Sequence, residues 1–465
     1  MTIGETRTAS LADDGPLMSM PEIAELAGVR RPVVTTWRRR HPDFPAPVTG
    51  NAARPLFDAR QVAGWLVATG RAARDQIEPE QALHALTAMC ARRPASEPLP
   101  LLTALICLRH LDDDEPLATE PLADGSAALA ARAARADPGD QLLLSEISAQ
   151  LADAVALRET VDDLVEAAWG CAGAFEHVVR FAHRLGAASL HSAAVTPELA
   201  RLIAEVSGAR DLARSGGPLL VTDPAAGSGD LLLAVSHLLG PDDRPAISGA
   251  ERSPELARLA RRRLAVQGIP LANIDIVAGA ELPEDTADPD VIATQIPYVP
   301  GEARRAADVL AAVADIAVRV APGRTAVVLG PADVLVAALP PFSDAERARA
   351  QLLTGGMVEA VIRLPGGVLP FRPGYEAALW VLTSAYHSRW AGRVLLADVS
   401  DRQLTAPVAA ALADDIITWR RDGYDPAAHE RAFGVQVAVS DLVDPPLPLT
   451  VRRPPGIREI MTSIP

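Results

Sequence analysis

The run LLVTDPAAGSGDLLLAV (219–235) constrains the fold more than any other stretch of this chain. A β-rich apolar segment leads into a turn carrying Gly227 and Gly229, and a second apolar segment follows at once. This pattern predicts a buried strand, a tight turn and the start of a helix, because glycine adopts left-handed backbone at no steric cost. Such a turn lets a ligand lie close to the backbone, and the helix start offers it free amides and the positive end of a dipole. A nucleotide-type ligand is expected. The spacing is not that of the dinucleotide fingerprint, since Leu232 stands where a third Gly or Ala is needed.

A second strand pattern, AISGAE (246–251), ends in Glu251, 28 residues after Asp223. An acid at the end of the second strand is where a ribose is held by its paired hydroxyls. Ser253 and Pro254 then give the next helix a capping residue and a first-turn proline. A Gly-x-Gly turn alone is a weak signal; an acid one strand later makes it specific. Further β-rich runs near 291, 325, 358, 377 and 392 alternate with helical patterns, which predicts a parallel or mostly parallel sheet.

Composition narrows the chemistry by exclusion. The chain of 465 residues has no lysine, so all 44 of its basic side chains are arginines. A P-loop lysine, a pyridoxal Schiff base and a kinase-type phosphate lysine are therefore ruled out. A formal net charge of −15 argues against indiscriminate coating of nucleic acid, so any such contact has to be local. Cys90, Cys107 and Cys171 are scattered and odd in number, and neither a disulfide framework nor a zinc site is expected. Charged residues interrupt every apolar run before the ~18 residues a membrane helix needs, and the N-terminus does not read as a secretory signal. No membrane association is expected, and a cytoplasmic setting fits best.

One segment is locally basic. The stretch MPEIAELAGVRRPVVTTWRRRHPDFPAPV (20–48) reads as two short helices broken at Gly28, with Ile23, Leu26, Val29, Val34 and Trp37 as a small core. Between residues 30 and 60 stand seven arginines against Asp43 and Asp58, a local excess of five positive charges. With the following RPLFDARQVAGWL (54–66), this order resembles the winged helix-turn-helix of the MerR and excisionase type. The resemblance implies contact with double-stranded DNA through Arg30, Arg31, Thr35, Thr36, Arg38, Arg39, Arg40 and Arg54. Trp37 and Trp65 are read as core residues rather than base-stacking platforms. Between 75 and 190 the pattern is helical and rich in Ala, Leu and Arg.

In the order of its motifs, the stretch from about 170 to 400 resembles the adenine-specific DNA methylases, particularly the modification subunits of type I restriction systems and their stand-alone relatives. Asp223 to Asp230 follow that family's cofactor turn almost letter for letter, and VTPELARLI (195–203) is similar to its Thr-Pro motif. The runs PGRTAVVLG (322–330), RAQLLTGGMVEAVIRLPGGVL (349–369) and AALWVL (377–382) are similar to its later strands. The resemblance implies S-adenosyl-L-methionine as cofactor, held by Thr196, Pro197, Asp223, Ala225, Gly227, Ser228, Gly229 and Glu251. No metal is implied. The fold expected is α/β: a Rossmann-type S-adenosylmethionine-dependent methyltransferase core over 191–400, preceded by a disordered lead-in (1–17), a winged helix-turn-helix (18–70) and a helical subdomain (75–190), and followed by a C-terminal extension (401–465).

The family presents its target base to an Asn-Pro-Pro-aromatic turn after the fourth strand. An exocyclic adenine amine is a poor nucleophile, so the Asn side chain and the first Pro carbonyl accept its two hydrogens while the aromatic stacks on the flipped base. The corresponding turn here is Gln295, Ile296, Pro297 and Tyr298, expected to be catalytic. Gln295 carries the amide on an arm one methylene longer, and Gly279-Ala280 stands where the family usually has an Asp. The reading is an adenine-N6 DNA methyltransferase with a degenerate catalytic turn. Its rivals are a non-catalytic DNA-binding protein that keeps the fold, and methylation of a small molecule or protein by the same core. A specificity or restriction subunit is the candidate protein partner, since the chain has no large target-recognition domain of its own.

Overall fold

The computed structural model describes residues 17–51, 54–91, 98–119, 125–187, 194–217, 219–240, 243–282, 287–296, 305–372, 374–384, 392–422 and 430–451. The chain divides into two compact units, residues 1–187 and 188–465.

The first unit opens with β1 (Leu17–Ser19), α1 (Met20–Leu26), α2 (Arg31–Arg40), β2 (Thr49–Asn51), β3 (Arg54–Asp58) and α3 (Ala59–Ala68). Gly28, at φ 63°, makes the turn between α1 and α2. The strands pair antiparallel in the order β1-β3-β2, so a hairpin follows the two helices. Asp58 caps α3 by accepting from the Gln61 amide at 2.9 Å. Ile23, Leu26 and Val34 are buried in the module's core with Phe57 and Leu66, and Val29 and Trp37 pack on it half-buried. Trp65 is buried beside Trp37, its indole N–H donating to Asp43 at 2.8 Å, as expected of core residues. The lead-in expected over 1–17 lies outside the described residues up to 16.

The same unit continues as α4 (Arg74–Ala91), α5 (Pro98–Leu111), α6 (Gly125–Ala136), α7 (Leu144–Ala149), α8 (Leu151–Ala167) and α9 (Cys171–Arg180). Charged side chains inside it are paired: Asp162 accepts from Arg109 at 2.8 Å and from the Leu117 and Ala118 amides. Burial without such partners would be costly.

The second unit runs α10 (Pro197–Val206), α11 (Ala209–Arg214), β4 (Leu220–Asp223), α12 (Asp230–Leu239), β5 (Ala246–Glu251), α13 (Pro254–Val266), β6 (Ile274–Ala278), β7 (Val291–Gln295), α14 (Ala306–Val318), β8 (Thr325–Pro331), α15 (Ala332–Leu335), α16 (Asp344–Thr354), β9 (Val358–Arg363), β10 (Ala377–Thr383), β11 (Arg393–Asp398), α17 (Ala406–Asp422), β12 (Val435–Ala438) and α18 (Ser440–Val443). Its nine strands form one sheet in the order β12-β11-β9-β10-β8-β7-β4-β5-β6. Neighbours from β6 to β8 pair in parallel, whereas β10 runs antiparallel to both β8 and β9. This is the mostly parallel α/β sheet that the alternating pattern predicts.

Both faces are covered, which is why the strands read as continuous apolar runs rather than alternating ones. On β8, Val327 and Leu329 face the core with α10, α12, α13 and α17, while Ala326 and Val328 face the core with α14, α15 and α16. The chain order reverses at β4, flanked by β5 on one side and β7 on the other. Ligands of open α/β sheets bind at the carboxyl ends of strands flanking such a reversal.

Candidate functional site

The turn after β4 is built from backbone first. Gly227 and Gly229 sit at φ 54° and φ 81°, where a larger residue would be strained. Gly229 also lets α13 come close, with the Ala260 Cβ 3.6 Å from the point where a side chain would begin. Gly249, in the middle of β5, is needed for a different reason: a Cβ there would lie 3.0 Å from the Asp223 carbonyl and 3.3 Å from Ala226. A glycine inside a strand signals such a close approach, a cue that the AISGAE run carries in its sequence. The turn therefore rests against β5 and α13 with no room to slide.

Glu251 ends β5 and closes over that turn. Its carboxylate accepts from the Gly227 amide and from the Ser253 amide, each at 2.9 Å. The sequence-predicted Asp223, Ala225, Gly227 and Glu251 are thus joined in one constellation, because the Ala225 amide also donates to Asp223 at 2.9 Å. Burial pushes the Asp223 carboxyl up to about 7, and the nearby carboxylates of Glu251 and Asp230 add to the effect. Thr294, on neighbouring β7, brings a fully buried hydroxyl toward Asp223 without closing a hydrogen bond of good geometry.

A group that the sequence did not mark braces the turn. Buried Arg263 on α13 donates to the Ser228 carbonyl at 3.1 Å and to Asp230 at 2.7 Å, and the Ser228 hydroxyl donates to the other Asp230 oxygen at 2.8 Å. Among the many arginines of this chain nothing in the sequence distinguished Arg263.

Thr196 and Pro197 begin α10 as cap and first-turn proline, and the Thr196 amide donates to the Val368 carbonyl at 3.0 Å. The Thr-Pro segment is thereby tied to the LPGGVL loop, and α10 packs on α12. Among the described residues, no hydrogen bond joins Thr196 or Pro197 directly to the Gly227–Gly229 turn. The residues present fit a nucleoside ligand: a glycine cradle that a Cβ would fill, a helix start behind it, and a carboxylate one strand away for a diol.

The base-acceptor turn is partly described. Gln295 ends β7, half-buried, and its side-chain amide makes no hydrogen bond to a described residue. Ile296 is buried at 1% exposure, and its N–H donates to the Leu329 carbonyl of β8 at 2.8 Å. Pro297 and Tyr298 lie outside the described residues. Ala280 is exposed just past the end of β6.

In the first unit Arg30, Arg31, Thr35, Arg38, Arg39 and Arg40 are exposed and Thr36 is half-buried. No ion pair joins these arginines to a described residue, so their charge is open to solvent. The hydroxyls of Thr35 and Thr36 turn back to the Arg31 and Pro32 carbonyls at 3.2 and 3.0 Å. Arg54 opens β3, and its side chain lies outside the described residues. Among those residues no metal-binding cluster occurs, and no helix is long and apolar enough to cross a membrane.

Comparison with known proteins follows the same lines. The model of the N-6 DNA Methylase family matches residues 195–461. Among solved structures, the chain resembles the type I restriction-modification methyltransferase subunit from Streptococcus thermophilus with a TM-score of 0.52 and 14% identity, over 80% of this chain and 97% of that one. It is also similar to a modification subunit of a putative type I restriction enzyme from Vibrio vulnificus, with a TM-score of 0.47, 14% identity, and 80% and 96% of the two chains covered. A putative class I S-adenosylmethionine-dependent methyltransferase from Listeria monocytogenes gives a TM-score of 0.45 at 16% identity, over 70% of this chain and 100% of that one. No curated protein sequence matches the chain. The family match covers more than half of the chain, and the chain belongs to the N-6 DNA methylase family, with S-adenosyl-L-methionine as its cofactor.

Proposed function

We propose that this chain is an S-adenosylmethionine-dependent adenine-N6 DNA methyltransferase whose N-terminal module docks the duplex. The observation that carries the reading is the closed constellation of Gly227, Glu251 and Asp223 at the reversal point of the sheet. When bound, the cofactor supplies an electrophilic methyl group on sulfur. Glu251 is placed to accept from the two ribose hydroxyls, since each of its oxygens keeps a lone pair beyond its single amide bond. Asp223 ends β4 and accepts from the Ala225 amide at 2.9 Å, which fixes the first residues of the turn. Gln295 and the Ile296 carbonyl are the acceptors for the amine hydrogens of a flipped adenine, and Tyr298 is its stacking surface.

The open arginines of α2 supply a local positive face on an acidic chain, suited to phosphate and groove contacts. A type I specificity or restriction subunit is the proposed protein partner. The test is transfer of labelled methyl from S-adenosylmethionine to mixed-sequence duplex DNA, read as N6-methyladenine. In parallel, Arg38, Arg39 and Arg40 changed together to Ala lower the slope of log affinity against log salt by about 2 to 3 without changing thermal stability. An unchanged slope would count against docking through α2 and would favour a small molecule or protein as substrate.

One observation favours a second reading, a DNA-binding protein that keeps the cofactor as a ligand and transfers nothing. The family turn has Pro at the second position, which has no N–H; here the Ile296 N–H extends the ladder to β8 and ties the turn into the sheet. Cofactor binding without transfer selects this reading.

A further inference from the structure

The cofactor turn has a support whose cost in free energy its packing role does not explain. Arg263 is 6% exposed. Removing a guanidinium from water is unfavourable unless its partners compensate. Its Nη1 group is directed at the turn: it donates to the Ser228 carbonyl at 3.1 Å and to the Asp230 carboxylate at 2.7 Å, with the Ser228 hydroxyl a looser neighbour at 3.5 Å. The Ser228 hydroxyl closes the ring by donating to Asp230 at 2.8 Å. One cation therefore grips the peptide between Ser228 and Gly229 from the side facing α13.

That peptide lies at the centre of the turn. Gly229 at φ 81° has a mirror-image choice of backbone, since glycine populates both hands about equally. A hydrogen-bonded carbonyl removes the choice, and the Gly229 amide is in turn held to the Ala226 carbonyl at 2.8 Å. We infer that Arg263 is a positioning residue for cofactor binding, acting through the Ser228 carbonyl and Asp230 to fix the backbone against which the nucleoside lies. The inference rests on the assignment of the Gly227–Gly229 turn as the cofactor seat. An apolar residue at 263 would fill the space under the turn but leave its central peptide held by the Gly229–Ala226 bond alone.

Equilibrium dialysis of the full chain with labelled S-adenosylmethionine tests it, using wild type, Arg263→Met and Arg263→Lys. Arg263→Met weakens cofactor binding by about 10-fold to 100-fold, the range expected for lost hydrogen bonds to a charged group, while DNA affinity through the first unit stays unchanged. Arg263→Lys keeps the charge and one contact, and falls between the two. With any measurable turnover, the same variants raise KM for the cofactor more than they lower kcat. Should Arg263→Met fold poorly, Arg263→Lys decides, and wild-type cofactor affinity in either folded variant overturns the inference. An equal fall in DNA affinity also overturns it, since that marks general loss of structure. Failure of the wild type itself to bind would instead refute the cofactor seat, so the two failures are distinguishable.

Discussion

Two adjacent strand ends of one sheet have been treated differently in this chain. At the end of β4, each element around the turn has an internal partner: Glu251 holds two amides, Arg263 holds Asp230 and Ser228, and glycines stand where backbone or neighbours require them. At the end of β7, beside it in the sheet, the Gln295 side-chain amide has no described hydrogen-bond partner and Ile296 is committed to the ladder with β8. The first edge depends on backbone shape, which tolerates no change of side-chain length. The second depends on one side-chain amide and one peptide carbonyl, and both positions depart from the family's residues. Under the proposed function, binding of the cofactor and transfer of its methyl group become separable demands, assigned to different strands.

The largest effect should come from closing the first edge. Gly249→Val places branched carbon against the Asp223 carbonyl and Ala226, forcing the turn outward. A displacement near an ångström costs about a hundredfold or more, so cofactor affinity by calorimetry should fall at least that far while circular dichroism stays that of a folded chain. Retained affinity would mean that the turn is not the seat.

At the second edge, Ile296→Pro restores the family's residue at the price of a structural bond. The 2.8 Å bond to Leu329 and most of a buried side chain are lost, so thermal or denaturant unfolding should show a loss of about 3 kcal/mol. A neutral result would show that the turn is not tied to the ladder, and would remove the observation that favours the non-catalytic reading.

A smaller effect distinguishes the edges by pH. The folded chain holds a proton on Asp223 up to about pH 7, whereas an unfolded carboxyl releases it near pH 4. The native state binds more protons across that window, so this group's contribution to stability is full below about pH 4 and is lost as pH rises through about 7. Asp223→Asn cannot ionise, and its stability relative to wild type, without cofactor, should rise between those limits by at most about 1.4 kcal/mol per pH unit. The corresponding comparison for Gln295→Asn, which carries no titrating group, should be flat. A flat profile for Asp223→Asn would show that Asp223 is already ionised in the free protein.

Legibility in the sequence followed the type of constraint. The run 219–235 announced strand, turn and helix, and the strands near 246, 291, 325, 358, 377 and 392 appear where the apolar runs place them, because fully buried strands leave an unbroken apolar signature. β6 and β12 carry weaker patterns that do not stand out in the sequence, being edge strands of the sheet with partly exposed residues. Glu251 was legible from its distance along the chain, since the acid proposed for the ribose follows its turn by one helix and one strand. Arg263 was not, because an arginine on an arginine-rich helix gives no sign of which face it occupies until α13 is laid against the turn. Nor could spacing reveal that the Ile296 amide is used by β8, a fact of register that only the paired strands supply.

Isothermal titration of the full chain with S-adenosylmethionine tests the central claim most directly. The account predicts saturable binding of one equivalent per chain, lost in Gly249→Val and weakened in Arg263→Met. No binding at millimolar ligand, by a protein shown to be folded, would contradict it.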